Sequence, residues 1–281
     1  MGPRLARAEP GALRPRVVSA LALAPFPIGA IWLGPPWLTA LIAIAGAVMA
    51  WEWGRLCRRE PVPGRMAAAS GLALVGTVLA AIVAQALLPI AVALAIAVLG
   101  AAIVFKAAAR DCGARPFWMA AGALWVALPC LSLLWLAEAD GTHRNSLFWI
   151  LALVWATDIG AYAIGRQLGG PRLAPRWSPR KTWAGLIGGT LCAAAVGWAT
   201  ARTLGISPAG PVILISAGLA IVEQFGDLAE SVAKRRFGVK DSSGLIPGHG
   251  GFLDRLDGLL AVAPAVALLT LIGGGSVLTW R

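Results

Sequence analysis

The chain has 281 residues, of which 58% are hydrophobic and only 13% charged, and it carries a formal net charge of +11. Soluble domains carry about 25% charged residues, so this composition excludes an ordinary water-soluble globular fold. The basic residues cluster between apolar runs, which directs the positive charge toward anionic membrane lipids and leaves nucleic acid as no expected partner.

A hydrocarbon core about 30 Å thick is crossed by about 20 apolar residues of helix. Nine such spans are predicted, at about 17–34, 36–54, 67–88, 89–106, 117–137, 146–165, 184–203, 210–230 and 259–278. Arg4, Arg7, Arg14 and Arg16 precede the first. It reads as an uncleaved span, because no small-x-small site leads into a polar mature start. Pro35-Pro36 divides the first span from the second, and Pro89 the third from the fourth. A kinked long helix or a re-entrant pair would give the same pattern at those two junctions. Cys57, Cys112, Cys130 and Cys192 are scattered without CxxC spacing and read as small buried thiols.

Charge orients the spans. With nine of them, 21 of the 24 Lys and Arg fall on one side, and only Arg144, Arg202 and Arg281 on the other. The positive-inside rule then places the N-terminus and the basic loops in the cytoplasm and the C-terminus outside. The expected fold class is all-α, a polytopic integral membrane protein with a polar funnel open to the cytoplasm. Residues 1–145 form an N-terminal region of about five helices, and 146–281 carry the chemistry.

Within the sixth span, "ATDIGAYAIGRQLGG" holds Asp158 in an apolar helix. An intramembrane carboxylate is costly, so it faces a cavity, an Arg partner or a broken helix end. The next polar stretch, "SPRKTWAG", begins at Ser178. Ser178-Pro179 has the form of a helix start, with Ser as N-cap and Pro in the first turn. Arg180, Lys181 and Thr182 would then lie at a helix N-terminus that favours phosphate, or form a capped basic loop that only serves orientation.

In "VEQFGDLAESVAKR", Glu223, Asp227, Glu230, Ser231 and Lys234 fall on one helical face. After it runs "KRRFGVKDSSGLIPGHGGFLDRLDG", from Lys234 to Gly258. Asp254 and Asp257 stand one turn apart at the entry to the ninth span. The glycines around His249 let the loop fold back, so that Asp227 and Asp254 converge from two helices. Carboxylates without a His or Cys cluster suit a hard cation such as Mg²⁺. Lys234, Arg235, Arg236 and Lys240 supply charge for several phosphates. Such a layout fits a metal–polyphosphate complex, and its alternative is mutual neutralisation as surface salt bridges. His249 reads as a phosphate or metal-shell hydrogen-bonding group or a turn residue, and His143 as a bystander.

The stretch "SVAKRRFGVKDSSGLIPGHGGFLDRLD", Ser231 to Asp257, resembles the signature of the phosphatidate cytidylyltransferase (CDP-diacylglycerol synthase) family. It contains S-x-x-K-R, K-D, P-G-H-G-G and D-R-x-D at the family's spacings. "GDLAES", "SPRKTWAG" and "TDIGAY" also resemble family blocks, so the likeness covers roughly 150–265. Ala184 departs from it, since relatives often carry Glu or Gln there. The resemblance implies a bacterial inner-membrane enzyme that joins CTP to phosphatidate, giving CDP-diacylglycerol and pyrophosphate. It also implies Mg²⁺, with K⁺ as a second cation, and a homodimer.

The catalytic candidates are Asp227, Lys234, Arg235, Lys240, Asp241, His249, Asp254 and Asp257. The phosphate-binding candidates are Ser178, Arg180, Lys181, Thr182, Ser231, Lys234, Arg235 and Lys240. Asp227 and Asp254 are the first metal candidates, with Asp158, Glu230 and Asp257 behind them. The rival functions are a polyprenol kinase, an archaeal-type lipid cytidylyltransferase and an ion-coupled transporter. A kinase would release CDP in place of pyrophosphate. A transporter would more often show repeats and broken helices at the midplane.

Overall fold

The computed structural model describes residues 22–58, 65–111, 114–138, 143–246 and 250–280. The fold is all-α. Its helices are α1 (Pro25–Leu33), α2 (Trp37–Leu56), α3 (Arg65–Leu87), α4 (Ile90–Ala109) and α5 (Pro116–Glu138), followed by α6 (His143–Leu168), α7 (Trp183–Leu204), α8 (Gly210–Arg236) and α9 (Leu253–Ile272). Between α6 and α7 lies a small hairpin of β1 (Arg172–Ala174) and β2 (Ser178–Thr182).

Among the described residues, α2 to α9 are the eight helices long and apolar enough to cross a membrane. The first predicted span, 17–34, is represented by the nine residues of α1, and residues 1–21 lie outside the described part. Both proline junctions separate helices as expected, with Pro89 in extended backbone at the N-cap of α4. Large apolar side chains such as Leu72, Ile103, Ile187, Leu214 and Ile272 stand exposed around the bundle. In water such a surface would associate, but in a bilayer it meets hydrocarbon.

α9 ends at Ile272, six residues short of the predicted 278, and two helices extend well beyond the hydropathy reading into polar sequence. α9 starts at Leu253, six residues before the predicted 259, and α8 runs to Arg236, past the predicted 230. In both cases polar residues belong to the helix because other side chains partner them, which a count of apolar residues does not register.

α6 and α7 pack most intimately, and α5 runs along α9, so the two sequence regions share one core. The rotation of α2 is fixed by Trp53, whose indole Nε1 donates to the Trp118 carbonyl in the first turn of α5 at 2.7 Å. A Cβ on Gly122 would stand 1.9 Å from that Nε1. Gly122→Ala therefore displaces the ring and breaks the bond, and is expected to destabilise the bundle by about 1–3 kcal/mol, read as a lower unfolding temperature in detergent.

Cys57 and Cys130 are buried and Cys192 is half-buried, while Cys112 lies outside the described residues. Burial pushes the Cys57 thiol, just past the end of α2, up to about 12 against the opposing pull of Arg115. It stays protonated and unreactive at neutral pH.

Candidate active site

The polar contacts between distant segments concentrate at one end of the bundle, where α6, α8 and α2 end and α7 and α9 begin. The "SPRKTWAG" segment enters this end as a strand. Ser178–Thr182 pairs antiparallel with Arg172–Ala174, Arg172 opposite Thr182 and Ala174 opposite Ser178. This corrects the expected helix start at Ser178. The cap is Thr182, whose hydroxyl accepts from Gly185 N at 3.1 Å while its backbone is extended. Strand pairing won because Ser178 and Thr182 pair with Ala174 and Arg172 of β1, and the helix begins only where Thr182 satisfies one of its first free N–H groups. Thr182 is thus a buried structural cap. Thr182→Ala is expected to cost about 1 kcal/mol, measurable as a shift in thermal unfolding.

α8 carries Glu223, Asp227, Glu230, Ser231 and Lys234 along one polar face, as the spacing predicts. Lys181, arriving from β2, meets Asp227 at 2.6 Å and donates to Gln224 Oε1 at 3.1 Å. Ser231 Oγ donates to the other Asp227 oxygen at 3.4 Å. Lower on the face, the Lys234 ammonium lies between Glu230 Oε1 at 3.0 Å and Asp254 Oδ1 at 2.5 Å. All three residues of this group are buried.

Asp254 is fully engaged. Its Oδ2 accepts from Ser242 N at 2.8 Å, Ser242 Oγ at 2.9 Å and Gly251 N at 2.7 Å. Asp254 therefore ties the loop after α8 back onto α9. The glycines of that loop have identifiable reasons. Gly250 has φ +83°, and a Cβ on Gly251 would stand 1.8 Å from Ser242 Oγ.

On α9, Asp257 lies within electrostatic reach of Asp227, Glu230 and Asp158, and Asp254 within reach of Glu230. Asp158 is exposed on α6 and lies against the buried Glu223 carboxyl, with Lys181 and Arg255 as the cations in reach. Two carboxyls this close need a cation or a shared proton between them. Among the described residues no three Asp, Glu, His or Cys side chains form a ready metal cage. The ammoniums of Lys181 and Lys234 hold the carboxylates together instead.

Beside these acids opens a cleft of about 280 Å³ lined by Ser178, Pro179, Arg180, Ser231, Lys234, Arg235, Lys240 and Asp241. It joins the two loops that the sequence singles out separately. Arg235 is braced by Trp177 O at 3.4 Å and Val239 O at 3.2 Å. Lys181 and Thr182 adjoin the cleft without lining it, and His249 lies outside the described residues. A concave surface with four basic side chains suits a polyphosphate.

One residue of this end was missed by sequence reasoning. Glu52, on α2, is wholly buried. Its carboxylate accepts from Phe252 N at 2.9 Å and Leu253 N at 2.6 Å, and from the hydroxyls of Ser242 and Ser243. The signal was present: Glu52 is a lone carboxylate inside an apolar span, the feature that drew notice to Asp158.

A helical membrane bundle that gathers buried acid–base pairs around a basic, phosphate-sized cleft at one face defines a membrane-embedded enzyme of phosphate-group transfer. The chain belongs to the cytidylyltransferase family, whose sequence pattern matches residues 14–272. It is 38% identical over 262 residues to the phosphatidate cytidylyltransferase of Brucella suis, covering 93% of each chain. It is 36% identical over 271 residues to that of Pseudomonas aeruginosa, covering 93% of this chain and 98% of the relative. With the Haemophilus influenzae enzyme of the same name, 44% identity extends over 123 residues, 42% of this chain and 43% of the relative. The protein is thus a multi-pass membrane nucleotidyltransferase.

Proposed function

We propose that the protein transfers CMP from CTP to phosphatidate, releasing CDP-diacylglycerol and pyrophosphate. The observation that carries this reading is the cleft in which Arg180, Lys234, Arg235 and Lys240 meet, directly beside the carboxylates of α8 and α9. The names of the full-length relatives support the choice of lipid substrate.

In this reading the β- and γ-phosphates of CTP lie against Arg180, Arg235 and Lys240. An oxygen of the lipid phosphate attacks the α-phosphorus in line. The new P–O bond forms as the bond to the β-phosphate oxygen breaks, and pyrophosphate leaves with that electron pair. The lipid phosphate is already anionic near neutral pH, so attack needs little base assistance. The basic side chains offset the charge that develops on the departing pyrophosphate. The acyl chains stay in the bilayer while the headgroup reaches the cleft.

The donors fit Mg²⁺. They are carboxylates only, and Glu230 Oε2 is buried without a hydrogen-bond partner. Asp227, Asp257 and Glu230 would hold the ion, with Asp254 joining if it exchanges Lys234, and Asp158 at the margin. A bound Mg²⁺ would supply positive charge that offsets the charge of the phosphates. K⁺ is the proposed second cation. The basic face is assigned to the cytoplasm of a bacterial inner membrane, with the N-terminus inside, the C-terminus in the periplasm, and the enzyme a homodimer.

The test is the purified protein with labelled CTP, phosphatidate vesicles and Mg²⁺. Label entering the lipid phase together with equal pyrophosphate is expected, and both stop on chelation of the metal. Release of CDP with phosphate on the lipid would make the protein a kinase and refute the proposal.

A further inference from the structure

Glu52 belongs to the half of the chain to which the chemistry assigns no role, yet it holds the loop that completes the cleft. Its four donors come from two places. Phe252 N and Leu253 N open α9, and Ser242 and Ser243 directly follow Lys240 and Asp241. The N-cap residue of α9, Phe252, offers no side-chain cap of its own. Glu52 therefore caps α9 from a helix 200 residues earlier in the chain. The same carboxylate anchors the far side of the segment that carries Lys240 into the cleft.

Asp254 grips this segment at Ser242 from the other direction. The hydroxyl of Ser242 lies within reach of both carboxylates, 3.4 Å from Glu52 Oε2 and 2.9 Å from Asp254 Oδ2. Two acids from opposite ends of the sequence thus clamp Ser242, and Glu52 also holds Ser243. Lys240 and Asp241, the exposed residues just before the clamp, gain a fixed position at the cleft rim.

We propose that Glu52 is a positioning residue for CTP: it sets the 240–243 segment so that Lys240 meets the nucleotide phosphates. The inference rests on the cytidylyl-transfer reading. Glu52 touches no substrate, and its effect passes through the loop. A charge-assisted hydrogen bond is stronger than a neutral one, so an amide at this position holds the four donors more weakly.

The experiment measures turnover of wild type, Glu52→Gln, Lys240→Ala and the double variant in mixed micelles, varying CTP and phosphatidate separately. For Glu52→Gln the KM for CTP is expected to rise about tenfold, the factor that one weakened charge-assisted bond supplies. The KM for phosphatidate should stay unchanged. In the Lys240→Ala background the same substitution should add little, because both act through one segment. Trypsin should also cut after Lys240 faster in Glu52→Gln. If that variant does not fold, Ser243→Ala, which removes one loop donor and spares the α9 cap, is read in the same way for a smaller rise. Wild-type turnover with an unchanged CTP KM in the variant overturns the inference, as does full additivity with Lys240→Ala. Absence of turnover in the wild type refutes the cytidylyl-transfer reading itself, and faster cutting after Lys240 would then still report the clamp.

Discussion

Lys234→Met is expected to abolish turnover and destabilise the folded protein by about 3–5 kcal/mol, the range for removing one partner of a buried ion pair. The ammonium lies 3.0 Å from Glu230 and 2.5 Å from Asp254, in a group that is buried throughout. Without it, two carboxylates face one another out of water, and Glu230 Oε2 already has no donor. Thermal unfolding followed by tryptophan fluorescence reports the loss, since the chain has 13 Trp.

A second variant separates fold from chemistry. Adding Glu230→Gln to Lys234→Met removes one of the two stranded charges, so part of the stability should return. Activity should not return, because Lys234 also lines the cleft. A double variant that regains turnover would show that Lys234 serves only the fold.

Asp227→Asn is expected to lower kcat by about 10²–10³-fold, the effect of removing one preorganised charge from a transfer site. Its effect on stability should stay under about 1 kcal/mol. The Asp227 side chain is 24% exposed and that of Lys181 16%, and Lys181 keeps its bond to Gln224 Oε1. The measurement is kcat across a Mg²⁺ titration, with Lys181→Met in parallel. If Asp227 holds the metal, Asn raises the Mg²⁺ requirement and Lys181→Met does not. If Asp227 serves only to place Lys181, the two variants give the same deficit and the same Mg²⁺ dependence.

Legibility of the site varied residue by residue. The polar face of α8 could be read directly, because a helical period is a local property and Glu223, Asp227, Glu230 and Lys234 repeat within it. The basic cleft was legible in its parts, since Arg180 and Lys240 each stand in a conspicuous polar loop. Their meeting across one cavity was not, because nothing in either loop encodes the distance to the other. At Ser178 local reasoning went astray: a Ser-Pro pair has the form of a helix start, and only the Arg172–Ala174 strand opposite it turns the segment into a hairpin. Glu52 escaped for a related reason. A lone acid in a span announces a partner, but its partners lie some 200 residues away.

The amino-acid sequence by itself determined that this is a helical membrane protein, where most of its helices lie, and that its basic charge gathers on one side. Those properties depend on runs of about 20 neighbouring residues and on prolines between them, so short-range chemistry suffices. Only the tertiary structure decided which acid meets which base. It gave Lys234 to Asp254, Lys181 to Asp227, and the opening N–H groups of α9 to Glu52. Those pairings follow from helix rotation and close packing between distant segments. An ion pair forms only where two side chains are brought within a few ångströms, a condition no single segment contains.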